Sequence, residues 1–419
     1  LGGDEAKRFF FFFQLKEYKP AVAGSWKKYS PSFGGFAAEL PHDPFIGNDG
    51  SWIFDAADKS TNTWYRVIRT DIHNYKFTGE DSFDLALMDE SFRASEFIDS
   101  QWSSKPGQWQ GYPSLDCRYL DKDSQVYLTR FIIQGPHYYT LVAHGKQELP
   151  VMGRFLNSFS LVPFRYKPAT EQRDTMLYYS VQTPVFPVSD KIKLDMPQYS
   201  FSMNNEDEPA DELSRLAAGL LRTRIISSDS TGEKIYVLFA KPGRYDHIKD
   251  SSIFSSTQPI DWMGDTTWIV RKRDRLMQPD GTRIFETLLA DSGSARMFWR
   301  KTILQKGLRY TLMTELDTLT QPSAFVRSFF DSFNPADTLE GHELFAKKSN
   351  LFFADFLSTD SIRHRRAVNA INSVPLDSAD LGGIRQLLEL VNWKEKNYLE
   401  VKGALIAKTG DMPSRAASD

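Results

Sequence analysis

A single cysteine in 419 residues, Cys117, excludes an intramolecular disulfide and any zinc site built on several thiolates. A basic excess is missing as well. Lys and Arg number 51 against 54 Asp and Glu, a formal charge of −3, so no positive field exists to hold a phosphate backbone and nucleic acid is not an expected partner. No apolar run approaches the ~20 residues that cross a bilayer as a helix, so no transmembrane segment is expected. The most concentrated run, Phe9 to Phe13, lies between Lys7-Arg8 and Lys16-Glu17 and reads as a buried strand or as the tail of something upstream. Catalytic signatures are equally scarce. There is no G-x-S-x-G elbow, and none of the histidines (His42, His73, His137, His144, His247, His342, His364) stands four from another with a glutamate between them. No metal site and no cofactor are expected. The chain starts at Leu1 rather than Met, which reads as a processed product or an excised fragment.

Aromatic residues, by contrast, are plentiful, at 14% of the chain. They fit the pleated, half-buried surface of sheets and favour an α+β fold. The chain also repeats itself. Gly135, Tyr139-Thr140-Leu141, Phe155 and Asn157-Ser158-Phe159 are echoed by Gly307, Tyr310-Thr311-Leu312, Phe329 and Asp331-Ser332-Phe333, 171 to 174 residues later. A period this long is a duplicated domain, since solenoid units repeat every ~20–50 residues. The expected organisation is an N-terminal extension (1–30), a first domain (31–166), a bridge ending at Asp174, a second and diverged domain (174–336), and a helical segment (339–419).

In the first domain, strands are expected at Phe36–Leu40, Trp52–Ala56 and Trp64–Thr70. A helix follows over Asp81–Gln101, where Phe83, Leu87, Met88, Phe92, Phe97 and Ile98 recur at three to four residues. Trp109–Leu120, Val126–Gln134 and His137–Ala143 form an antiparallel meander, and Pro150–Phe159 a closing helix. The second domain repeats the meander as Arg283–Ala290, Ala295–Leu304 and Tyr310–Thr314, with a helix over Pro322–Phe333. Its first half is expected to hold strands at Met176–Thr183, Lys191–Met196 and Ile235–Ala240, and a helix at Asp211–Leu221. Beyond Leu339, helices are expected at Ser349–Phe356, Ser361–Ile371, Ala379–Val391 and Glu395–Lys408, the second and third capped by Asp360 and Asp377.

Chemistry has few candidates. Asp71, His73 and Glu80, joined by Asp81 and Asp84, are the densest local set of acid and imidazole groups; they read either as a hydrolase-like acid/base site or as a solvated turn before a helix whose dipole favours carboxylates. Cys117 alternates with Leu115 and Tyr119 on one strand face and reads as a small buried hydrophobe. Trp102, Trp109, Trp262 and Trp268 are candidate contact residues for a partner or ligand, because tryptophan on a surface is a favoured anchor.

The run Phe36-Ala37-Ala38-Glu39-Leu40-Pro41, a central helix, Gly135…Tyr138-Tyr139-Thr140-Leu141 and the closing Phe155-Leu156-Asn157-Ser158-Phe159 resembles the PsbP/Mog-like α/β/α sandwich. The second copy carries the end of the same pattern, with Leu308 in place of the proline after glycine. The tail, through Ser358-Thr359-Asp360…Arg363…Arg366-Ala367, resembles the start of a HEAT-like array. The arrangement is similar to an accessory region of bacterial envelope proteins, some of which carry a TraB/GumN-type domain upstream. The resemblance implies a non-catalytic binding or scaffold module in the periplasm or cell envelope, with a protein partner that could be an upstream domain of the same polypeptide. Two alternatives stand beside it: a hydrolase-like enzyme using Asp71, His73 and Glu80, and an envelope glycan or small-ligand binder using its tryptophans.

Overall fold

The computed structural model describes residues 26–73, 80–187, 220–248, 269–339, 341–395, 397–410 and 412. Phe9–Phe13, Lys191–Met196, Trp262 and Trp268 lie outside them. The described residues form an α+β protein of antiparallel sheets and seven helices.

The first unit contains β1 (Lys27–Tyr29), β2 (Phe36–Leu40), β3 (Phe45–Asn48), β4 (Trp52–Asp58), β5 (Thr63–Asp71), α1 (Asp81–Arg93), β6 (Ile98–Trp109), β7 (Tyr112–Asp121), β8 (Val126–Gln134), β9 (His137–Gly145), α2 (Pro150–Ser158) and β10 (Ser160–Leu161). Seven strands pair antiparallel in the order β3-β4-β5-β9-β8-β7-β6. Alternation along each strand divides the side chains between two cores. Tyr65, Val67, Tyr139 and Leu141 face α2 and the small sheet β1-β2-β10, packing on Phe36, Phe155 and Phe159. Leu115, Cys117, Tyr119, Phe131 and Val142 face Leu85 of α1.

The second unit follows with β11 (Thr170–Asp174), β12 (Tyr179–Thr183), β13 (Leu220–Ser227), β14 (Lys234–Lys241), β15 (Ile269–Met277), β16 (Arg283–Ala290), β17 (Arg296–Gln305), β18 (Leu308–Asp317), α3 (Ala324–Ser332) and β19 (Asn334–Pro335). Its six-stranded sheet runs β13-β14-β18-β17-β16-β15, the order of β4 to β6 in the first sheet. The echoed residues occupy matching places. Tyr139 and Tyr310 are fully buried, and each donates its hydroxyl hydrogen to a backbone carbonyl, at Gly34 (3.3 Å) and Tyr178 (2.9 Å). Ser158 and Ser332, at the ends of α2 and α3, accept the backbone N–H of Glu39 (2.9 Å) and of Gln182 (2.7 Å), tying each helix to the small sheet beside it.

Two strands depart from expectation. α1 stops at Arg93, and β6 begins at Ile98, inside the helix expected to reach Gln101. Phe92, Phe97 and Ile98 continue a helical spacing, but Ala94 and Ser95 close the helix by bonding back to Glu90 and Phe92. β6 and β15 are the outer strands of their sheets and are polar over most of their length, so neither shows strand alternation. Pro106 is tolerated in β6 because an edge strand leaves one row of amides unpaired. Of the helix expected at Asp211–Leu221, only Leu220 and Leu221 are described, and they open β13.

Four helices close the chain: α4 (Ser349–Phe356), α5 (Ser361–Ala370), α6 (Leu381–Leu390) and α7 (Tyr398–Gly410). Asp360 caps α5 by accepting the amides of Ile362 (2.8 Å) and Arg363 (3.2 Å). The helices pack on the second unit. Tyr245, beyond β14, sits in their core, and Asp355 of α4 takes the Arg244 guanidinium (2.6 Å) and the Tyr245 hydroxyl (2.9 Å).

Because Ser158 and Ser332 serve the same purpose, Ser158→Ala and Ser332→Ala should each lower stability by about 1 kcal/mol in urea unfolding. A loss at one serine and none at the other would show that the two joints are not equivalent.

Candidate functional site

The acid and imidazole groups singled out in the sequence lie between the two units, where the end of β5 and the start of α1 meet two turns of the second sheet. Arg69 and Asp71 follow Tyr65 and Val67 on the inward face of β5, so alternation itself carries them into the interior. Arg69 is fully buried. It donates to the Phe33 carbonyl, to Asp71 Oδ2 (2.9 Å) and, across the boundary, to the Ser230 carbonyl (2.9 Å). His137 Nδ1 lies 2.7 Å from Asp71 Oδ1, which fixes the imidazole against the carboxylate. Burial works against charge on Asp71, but the bonds and charges of His137 and Arg69 outweigh it and hold the carboxyl below its ordinary range.

His73 turns to other partners. Its Nε2 lies 2.6 Å from the Gly232 carbonyl and must donate, because a carbonyl oxygen only accepts. Its Nδ1 lies 3.1 Å from Glu315 Oε2, close enough for an ion pair but out of hydrogen-bond alignment. Gly232 has φ +75°, and a Cβ there would stand 2.1 Å from the Asp71 carboxylate. The turn fits against Asp71 only because the residue is glycine.

A second patch forms at the α1 N-terminus. Asp81 accepts the Ala295 amide (2.6 Å) and donates its own N–H to the Gly293 carbonyl (3.0 Å), so the helix end docks on the β16–β17 turn. Arg296 reaches back to Asp84 Oδ2 (3.2 Å), the Tyr138 hydroxyl and the Gly135 carbonyl (3.4 Å). Burial pushes the Asp81 carboxyl up to about 6; the Ala295 amide and Arg296 oppose the rise and Asp84 adds to it. Glu80 is exposed, caps α1 through its backbone carbonyl, and among the described residues its carboxylate accepts Ser82 Oγ (3.3 Å). Asp71, His73 and Glu80 therefore do not converge on one point. Tyr112, which donates to Asp317 (2.7 Å), and Tyr166, which donates to Glu233, complete the seam.

Of the tryptophans, Trp102 is 65% exposed on β6. Trp109 is engaged within the first unit, donating to the Phe159 carbonyl (3.1 Å) beneath the Arg130 guanidinium, which lies 4.0 Å from its ring centroid. No group of three or more His, Cys, Asp or Glu among the described residues is placed to hold a metal ion, and no described helix is long and apolar enough to cross a membrane. Arg69, Arg296, Gly232 and Glu315 were not singled out by sequence. An arginine at an inward position of an apolar alternating strand, as in Tyr65-Val67-Arg69, is the one signal that points to a buried charged seam.

No family model matches the chain, and no curated protein matches it. Among solved structures, an immunity protein, TplEi, of the T6SS of Pseudomonas aeruginosa covers 75% of this chain and 98% of its own at 10% identity and a TM-score of 0.19. A bifunctional dehydratase-cyclase domain in ambruticin biosynthesis covers 68% and 100% at 9% identity and a TM-score of 0.14. Likeness at this level carries no inference about this protein.

Two outcomes test the seam. Gly232→Ala should cost about 3 kcal/mol or more, because its Cβ displaces a buried, paired carboxylate, and unfolding should split into separate steps for the two units. A single unshifted transition would contradict the tight fit. For Asp81, the unfolded carboxyl titrates near 3.8 and the folded one near 6, so its protonation stabilises the fold fully below about pH 4 and that stability is lost as pH rises through about 6. The Asp71 effect runs the other way, and is lost only as pH falls below the ordinary carboxyl range. Asp81→Asn should therefore flatten the stability profile between pH 4 and 6; an unchanged slope in urea titrations would remove Asp81 as its source.

Proposed function

We propose that this protein is a non-catalytic binding module of the cell envelope. In this reading two PsbP/Mog-like sandwich domains, copies of one ancestral unit, are locked together and carry a docked helical tail, offering surfaces to a protein partner or to an upstream domain. The shared strand order supports duplication, as do the matched roles of Tyr139 and Tyr310 and of Ser158 and Ser332.

The observation that carries the binding reading is how the candidate catalytic groups are used. Asp71 is taken by Arg69 and His137, His73 by Gly232 and Glu315, Asp81 by Ala295, and Asp84 by Arg296. A general base must reach a substrate proton, directly or through one water; His73, Asp81 and Asp84 instead reach across the boundary between units, and Asp71 is held by partners within the first unit. Of the tryptophans singled out by sequence, Trp102 is the one presented to a partner, on an edge strand of the described sheet that an added strand could extend.

A photo-crosslinking residue at position 102, in the full chain exposed to envelope extract, should trap one protein reproducibly, while Glu80→Gln changes neither capture nor stability. Hydrolytic turnover by the wild-type chain that disappears in Glu80→Gln would contradict the reading in favour of the acid/base alternative. Glu80 is exposed, so such a loss could not be blamed on misfolding.

A further inference from the structure

α1 packs mainly on β6, β7 and β8 and meets β9 chiefly through Tyr138 and Val142, and a groove of about 600 Å³ opens beside it toward β5. We infer that this groove binds a small, neutral, largely apolar molecule bearing one oxygen acceptor. The inference goes beyond the protein-binding reading and stands without it.

Four observations carry it. The volume falls within the roughly 300–1,000 Å³ usual for small-molecule sites. The walls are apolar where a surface helix should be polar: Phe83 and Leu87, 57% and 49% exposed, project from α1 over the groove, facing Ile68 of β5. Hydrophobic side chains around a concavity gain more from an apolar ligand than from water. The two charged side chains of the lining, Asp84 and Arg296, meet with Tyr138 at one place, while Thr70, Thr140, Ser91 and Ser95 contribute only hydroxyls elsewhere. Finally, Arg296 is nine-tenths buried or more, yet its protein bonds use only Nε and one terminal nitrogen. No described residue accepts from the other terminal nitrogen, and the Arg296 side chain lies on the groove lining.

Charge selects the ligand's polar group. Asp84 already neutralises Arg296, and Asp81 adds negative charge when ionised, so the polar end is neutral to negative. A carboxylate placed there would face one or two others, whereas a ketone, ester or amide oxygen accepts from Arg296 without repulsion. Because Arg296 belongs to the second unit and the apolar walls to the first, the site is complete only while the units are docked.

The test uses Nile red, a neutral apolar dye with a carbonyl oxygen, titrated into the full chain at pH 8. Saturable one-site binding with blue-shifted emission is expected. Leu87→Glu should weaken it about tenfold or more, and Ile362→Glu, on the equally exposed surface of α5, should not. Both side chains are exposed, so matching circular dichroism and urea midpoints would confirm that the variants fold. In competition, 2-tetradecanone should displace the dye at a concentration about tenfold or more below that needed for tetradecanoate. Binding that is absent, or unaffected by Leu87→Glu, would overturn the site. Equal competition by the carboxylate would overturn the assignment of a neutral acceptor. Capture through position 102 is scored separately, so failure here leaves the partner reading to its own test.

Discussion

The architecture depends on a buried, charged seam between two sheets. Arg69, Asp71 and His137 on one side meet the turn at Gly232, and Asp81 and Asp84 meet Ala295 and Arg296. Removing charges from water costs several kcal/mol per ion, and only close geometry with every partner in place offsets it. Such a seam is weak glue but a strict template: a shift of an ångström strands a buried charge, whereas an apolar seam would tolerate sliding. It fixes how the units sit, and it also supplies the polar end of the groove beside α1.

Corresponding hairpin turns of the two sheets pass from one module to the next. The β8–β9 turn places Gly135 against Asp317 of the second unit, where a Cβ would stand 2.8 Å from the Asp317 Cα. The matching β17–β18 turn places Gly307 against Gly341 and His342 on the approach to the helical tail, and the Gly341 amide bonds the Lys306 carbonyl (2.8 Å). In both cases the absence of a side chain lets backbone meet backbone. The glycines echoed in the sequence thus mark docking points as well as turns. The tail is held further by Arg244, Tyr245 and Asp355, so its helices complete a core with the second unit.

Much of the fold was legible because one-sided burial writes a period into the sequence. Val126–Gln134, Arg283–Ala290 and Ser349–Phe356 are placed as expected to the residue, each carrying an uninterrupted apolar pattern bounded by turn residues. β6 and β15 were not legible, since outer strands in water need no alternation. The seam was half legible. The carboxylates and His73 stood out as a local cluster, but the partners of His73, Asp81 and Asp84 lie about 160 to 240 positions along the chain, and nothing local marks a residue that meets its partner only after two domains have folded. Local density of acids therefore suggested an active site where long-range contact produces a joint.

Two surfaces remain for binding: Trp102 on an outer strand, and the largely apolar groove beside α1, whose polar end the seam supplies. The central claim is that the two units are one body, and hydrogen exchange at two amides tests it most directly. The N–H groups of Ala295 and Asp81 bond to Asp81 and Gly293 only while the units are docked. Docking predicts that both exchange as slowly as amides within β8 and β17. Exchange at the rate of an open turn, with the sheets still protected, would show that the seam does not hold the units together.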